Sequence, residues 1–177
     1  MNTNLKKLAI GLSAAGLFTL VACQSIGQGT GQKATASLDS RSGSNAKGQV
    51  TFTWQGNNVL INGTFSGLKP NAEQGFHVHE KGDCSAPDAM SAGGHFNPET
   101  QAHGTPNSTM SHAGDLPNIK SDANGNATYT ATLHGFAVNT SSTGIVGRAV
   151  VVHRDPDDYK SQPAGNSGPR IACGLIK

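Results

Sequence analysis

From residue 33 onward the apolar side chains recur at every second position, and no stretch holds a helical period long enough for an amphipathic helix. Val50, Phe52 and Trp54 alternate with Thr51 and Thr53, as on a strand with one face in a core and one in water. Gly56-Asn57-Asn58 supplies a turn, and Val59 to Phe65 returns. Asn124-Gly125 is a tight-turn signal before a Thr/Tyr-rich strand, Ala127 to Leu133. Ala149 to Val152 is an unbroken apolar run, and Ile171 to Ile176 reads as the last strand. With 23 glycines and Thr/Ser/Asn-rich intervals, the chain is predicted to be all-β, an antiparallel sandwich or flattened barrel. Two stretches, Lys81 to Lys120 and Arg154 to Arg170, read as too long and polar for strands. Long ordered loops on a rigid β scaffold are where function usually sits.

The N-terminus reads as an address. Lys6 and Lys7 precede a short apolar run, Leu8 to Leu20, and Leu20-Val21-Ala22-Cys23 follows. The run is shorter than the roughly 20 residues a membrane span needs. The pattern resembles a bacterial lipoprotein signal, which implies cleavage after residue 22 and a lipid on the Cys23 thiol. The alternative is an ordinary secretory signal with a spare thiol. Gln24 is not the aspartate that often retains lipoproteins at the inner membrane, so a periplasmic chain anchored to the outer membrane is expected. Residues 24–32 are Gly/Gln/Ser-rich and suit a flexible tether. The organisation expected is therefore signal peptide 1–22, lipidated cysteine and tether 23–32, and one domain over 33–177. Without the leader, Lys/Arg and Asp/Glu are equal in number, and no basic run suggests nucleic acid. Cys84 and Cys173 then remain in an oxidising compartment, where a disulfide between them is the simplest reading.

Six of the seven histidines fall in the order His77, His79, His95, His103, His112 and His153, with Asp115 close behind His112. Six imidazoles and a carboxylate are too many for one tetrahedral site and suit two metal sites, one nitrogen-rich and one with a carboxylate. In Gly75-Phe76-His77-Val78-His79-Glu80, a strand puts His77 and His79 on one face, with Phe76 and Val78 on the other. An H-x-H pair alone is weak, because surface strands carry such pairs by chance. His153 ends an apolar run on what reads as a neighbouring strand.

Taken in order, Gly-Phe-His-Val-His-Glu, Gly-His-Phe-Asn-Pro, His-Gly, His-Ala-Gly-Asp-Leu, Val-Val-His and Arg-Ile-Ala-Cys-Gly resemble copper/zinc superoxide dismutase over essentially all of residues 33–177. The resemblance implies a Greek-key sandwich, related in architecture to immunoglobulin domains. It implies copper held by His77, His79, His95 and His153, and zinc held by His95, His103, His112 and Asp115. His95 is then a bridging imidazolate that also carries a proton between half-reactions. Asp157 matches a carboxylate linking ligands of the two sites, Arg170 the arginine that guides and holds the anion, and Cys84 and Cys173 the structural disulfide. The implied substrate is superoxide, dismuted to dioxygen and hydrogen peroxide. Dimer contacts differ between branches of that family, so a homodimer is allowed but its interface does not carry over.

Some residues stay outside this reading. His134 lies near a strand end beyond every matched block and reads as a surface residue. Trp54 reads as packing, Arg148 as structural, and Met90 with Met110 as two scattered thioethers that make no soft copper site. Pro169 stands directly before Arg170, and Lys160 is the only cation between 160 and 169. The competing expectation is a metal reservoir with little turnover; against it, the four copper-matching histidines and Arg170 are all present.

Overall fold

Ala34, Ala36 and Leu38 are buried and their neighbours exposed, so Lys33–Ser40 is a strand, β1, with one face in a core. The computed structural model describes Met1 and residues 31–177; Cys23, its signal and most of the expected tether lie outside the described residues. Lys47–Trp54 (β2) and Val59–Ser66 (β3) repeat the alternation. Glu73–His79 (β4), Asp115–Lys120 (β5), Ala127–Leu133 (β6), Ala149–His153 (β7) and Arg170–Leu175 (β8) complete the set, with one 3-10 turn at Met90–Ala92. The strand order is β5-β4-β7-β8-β1-β2-β3-β6, antiparallel throughout. β3 and β6 lie side by side at one end of this order and β5, β4 and β7 at the other, so the β3–β4, β5–β6 and β6–β7 connections all pass between the two ends, the Greek-key path. Two β1–β8 pairs, Asp39 with Cys173 and Ser40 with Ala172, join the halves, and the edge strands β5 and β6 approach each other, so the strands form a nearly closed barrel.

Two sequence expectations change. Lys81 to Lys120 is not loop throughout: Asp115–Lys120 pairs with β4. Pro117 and Asn118 break the apolar alternation there, while Leu116 and Ile119 are fully buried. The expected tether ends early, since Gly31 N–H donates to Trp54 O (2.7 Å) and Trp54 N–H to Gln32 O (2.8 Å).

The core centres on Phe65, Phe76 and Tyr129, packed edge to face with ring centroids 5.2–6.4 Å apart, the favoured aromatic arrangement. Gly48 makes room for it: a Cβ there would stand 2.5 Å from the Phe65 ring. β7 is buried on both faces. Val150 and Val152 face the barrel core, whereas Ala149 and Val151 pack with Ala89, Ala92 and Cys173 beneath the loop that follows β4. That covering loop turns the outer face of β4, β7 and β8 into a second interior. Two further residues settle as expected: Trp54 is half-buried against the core, and Arg148 stacks 3.7 Å above the Phe96 ring while donating to Glu80 O and Gly144 O.

Candidate metal centre

β4 sends Phe76 and Val78 into the core, so period two forces His77 and His79 outward beneath the loops. β4 pairs with β7, and β7 ends in His153. The segment leading to His95 runs beside β4: His79 and His95 form an isolated antiparallel bridge, and Phe96 N–H donates to Val78 O (2.8 Å). One ligand atom from each of His77, His79, His95 and His153 lies within 4.8 Å of the others; so does one from each of His95, His103, His112 and Asp115. All eight memberships are buried, and His95 belongs to both groups.

The hydrogen bonds decide which nitrogens are free. Asp157 accepts from His77 Nε2 (2.8 Å) through one oxygen and from His103 Nε2 (2.9 Å) through the other. This leaves His77 Nδ1 buried without a hydrogen-bond partner, while His103 Nδ1 stands 3.1 Å from Asp115 Oδ1. His79 Nδ1 donates to Gly93 O (3.0 Å) and His153 Nδ1 to Gly168 O (3.1 Å). Their Nε2 atoms then face each other at 3.3 Å, two lone pairs with no proton between them. His95 Nε2 is also buried and unpartnered. An unpaired buried acceptor is costly, and opposed lone pairs more so; a cation among these four nitrogens removes both penalties. In the second group, Asp115 Oδ1 stands 2.9, 3.1 and 3.2 Å from Nδ1 of His95, His103 and His112. Such separations approach the roughly 3.3 Å edge of a tetrahedron with metal–ligand bonds of about 2.0–2.1 Å. The donors therefore fit a nitrogen-rich redox metal in the first group and zinc in the second.

Charge distribution prepares the first group. Burial lowers the pKa of His77, and lowers those of His79 and His153 well below the usual value; burial with the neighbouring His77 brings His95 to about 4. Their lone pairs are thus free at neutral pH. His103 is the opposite case. Burial works against its charge, but the flanking Asp115 and Asp157 carboxylates prevail and raise it to about 9. In the metal-free protein the charged His103 ring stabilises the fold fully below about 6.5, and that contribution is lost as pH rises through about 9. Zinc held by the second group would need the Nδ1 lone pair, so at pH 7.5 its binding is expected to release about one proton from this ring, with apparent affinity falling as the pH is lowered. Calorimetry in two buffers of different ionisation enthalpy measures the proton count; no release would contradict the assignment.

The sequence reading missed several supporting residues. Asn118 on β5 donates to Asp157 O and accepts from Asp157 N–H, both at 3.0 Å. Gln162 exchanges two 2.9 Å hydrogen bonds with the His103 backbone. Gly165, at φ 65°, leaves the space that Asp157 and His103 occupy; a Cβ there would run into the Asp157 carboxylate. Replacing Asp157 with asparagine keeps the shape but removes one of the two acceptors. It is expected to weaken zinc binding about 10–100-fold, readable by chelator competition, while leaving the disulfide and strand order intact.

Arg170 is half-buried at the start of β8 and donates to Ala89 O (2.7 Å) and Gly93 O (2.6 Å). Its positive charge helps hold His79 and His153 neutral, which puts it next to the first group. Gly93 O thus receives both His79 and Arg170, fixing the arginine relative to a cluster member. His134 is exposed and belongs to neither group.

An eight-stranded antiparallel barrel carrying two histidine-rich clusters that share one ring is a dinuclear metalloprotein of the β-sandwich class. The profile described as copper/zinc superoxide dismutase (SODC) matches residues 46–176. The chain belongs to the copper/zinc superoxide dismutase family, and it is an enzyme whose metals are copper and zinc. Superoxide dismutase [Cu-Zn] 1 of Aquifex aeolicus (strain VF5) is 46% identical over 135 residues, covering 73% of this chain and 79% of that protein. Superoxide dismutase [Cu-Zn] 2 of the same organism is 48% identical over 124 residues, 67% of this chain and 72% of that one. Among solved structures, the clock protein EA4 superposes with a TM-score of 0.74 at 41% identity, covering 84% of this chain and 95% of the other. A double mutant of a SOD-like protein from Bacillus subtilis gives 0.68 at 37%, covering 79% and 94%.

Proposed function

We propose that copper occupies the His77, His79, His95 and His153 group, that zinc occupies the His95, His103, His112 and Asp115 group, and that the enzyme works in the periplasm, tethered by a lipid on Cys23. The observation that carries the metal assignment is the His95 ring. Its Nδ1 faces Asp115 at 2.9 Å and its Nε2 is unpartnered within the four-imidazole group. Bound copper supplies one-electron redox chemistry, by which two superoxide anions and two protons become dioxygen and hydrogen peroxide. The chain's own groups supply the rest. The guanidinium of Arg170 attracts and orients the anion, and the carbonyls of Ala89 and Gly93 hold it in place. His95 Nε2 is the position from which a proton is held and delivered. Asp115 and Asp157 fix the imidazoles through their outer nitrogens. Each chain contributes both groups complete, so no second copy is needed to finish the site.

The periplasmic, lipid-anchored reading rests on the Lys6 to Cys23 signal pattern and suits a chain with a disulfide, which persists in oxidising compartments. Mass spectrometry of the mature N-terminus tests it: a lipid attached through the Cys23 thiol is expected, and an unmodified cysteine contradicts the anchor. Metal content and superoxide consumption on one sample test the rest. About one copper and one zinc per chain with fast turnover is expected; full loading without consumption above the metal-free control would favour a reservoir. Arg170→Ala is expected to keep both metals while lowering kcat/KM by about 10-fold or more and flattening its salt dependence. Copper loss from that variant contradicts the role.

A further inference from the structure

The second cluster has its own opening to solvent. A cavity of about 270 Å³ lies against it, lined by His112 and Asp115 at its floor and by Glu99, Asn107 and His134 nearer the surface. His112 is the cluster's most exposed member, with 9% of its side chain accessible against 3% for His95 and none for His103 and Asp115. The cavity wall is fixed. Asn107 donates to Thr132 O (3.1 Å) and accepts from His134 N–H (3.1 Å), clasping the loop to the end of β6. Glu99 and His134, both exposed, therefore bring a carboxylate and an imidazole to the mouth of a cavity that ends on His112. None of the chemistry assigned above uses either side chain.

We infer that this cavity is the entry path for zinc, with Glu99 and His134 as a transient capture pair that passes the ion to His112. The inference rests on the second cluster being the zinc site. A carboxylate and an imidazole are the donors zinc accepts, and the Glu99 carboxylate at the mouth attracts a divalent cation. Two donors let the hydrated ion exchange some waters at the mouth before His112 and then the buried members replace the others. Because the pair lies on the path and not in the final site, removing it changes the rates of entry and exit together and leaves the equilibrium constant alone.

The experiment uses metal-free full-length protein and Zn²⁺ alone, with Co²⁺ as an absorbing probe. For the parent, the uptake rate is expected to saturate as metal concentration rises. For Glu99→Gln with His134→Gln, uptake is expected to slow about fivefold or more and to become linear in concentration. Release to a chelator should slow by the same factor, and final zinc content and affinity should stay unchanged. Parent-like uptake in the double variant overturns the inference, as does lost affinity with an unchanged rate. His112→Ala separates the two levels: if it abolishes zinc binding while the rim variants behave as the parent, only the entry path fails. If neither it nor any rim change affects zinc, the placement of zinc in this cluster fails as well.

Discussion

His95→Ala is expected to abolish superoxide consumption to below about one hundredth of the parent rate. Loss of an outer hydrogen-bonding partner alone costs about 10–100-fold, and His95 is a direct member of both groups. Its removal leaves the first group three imidazoles and the second two imidazoles with Asp115. It also opens a gap beside His77, whose ring stacks on His95 with centroids 3.9 Å apart. The decisive readout is coupling. In the parent, adding zinc should alter the copper spin-resonance spectrum, because one ring touches both sites; in His95→Ala the copper spectrum should ignore zinc. His112→Ala is the comparison, since His112 belongs to the second group only. It should lose zinc, keep copper and retain far more activity. A His95→Ala protein whose copper still responds to zinc would sink the shared-ring arrangement.

What the sequence made legible and what it hid divide by the range of the interactions. β2, β3 and β6 could be read because each alternates locally and is bounded by turn residues such as Asn124-Gly125. β5 escaped because Pro117 and Asn118 interrupt its alternation and its pairing with β4 shifts register between Gln74 and Phe76. β8 begins one residue earlier than its apolar run, since Arg170 pairs with His153 through the backbone and its side chain plays no part in that ladder. The ligands were recognisable as an ordered series whose spacing matches a known family. Their supports were not. Asn118 lies 39 residues from Asp157, and Gln162 lies 59 from His103, and no local pattern marks either. Arg170 was picked out by its motif, but not the carbonyls of Ala89 and Gly93 that hold it, 81 and 77 residues away. Such contacts exist only once the barrel has brought the loop after β4 over β8.

Cys84→Ser with Cys173→Ser is expected to lower the unfolding free energy of the metal-free protein by about 4–5 kcal/mol in the chain-entropy account. The link joins residues 89 apart in sequence, a long loop whose closure strongly restricts the unfolded chain. Native contacts retain part of the tie: Cys173 packs with Ala89, Ala92, Ala149 and Val151, and Arg41 Nε donates to Cys84 O (2.9 Å). Urea unfolding of parent and variant at one pH gives the difference; a shift below about 1 kcal/mol would mean those contacts already do the work of the covalent bond. The same change should reach catalysis without touching a ligand. Cys84 anchors the loop whose Ala89 and Gly93 carbonyls hold the guanidinium, and Cys173 sits on the strand that begins with Arg170. Releasing the loop therefore loosens Arg170, while His77, His79 and His153 stay on β4 and β7 and the backbone bridge to His79 keeps His95 beside β4. The expected signature is a fully metallated enzyme with reduced kcat/KM and the flattened salt dependence of Arg170→Ala. Adding Arg170→Ala to the disulfide variant should then cost little more, because two changes that act through one positioned charge are not additive.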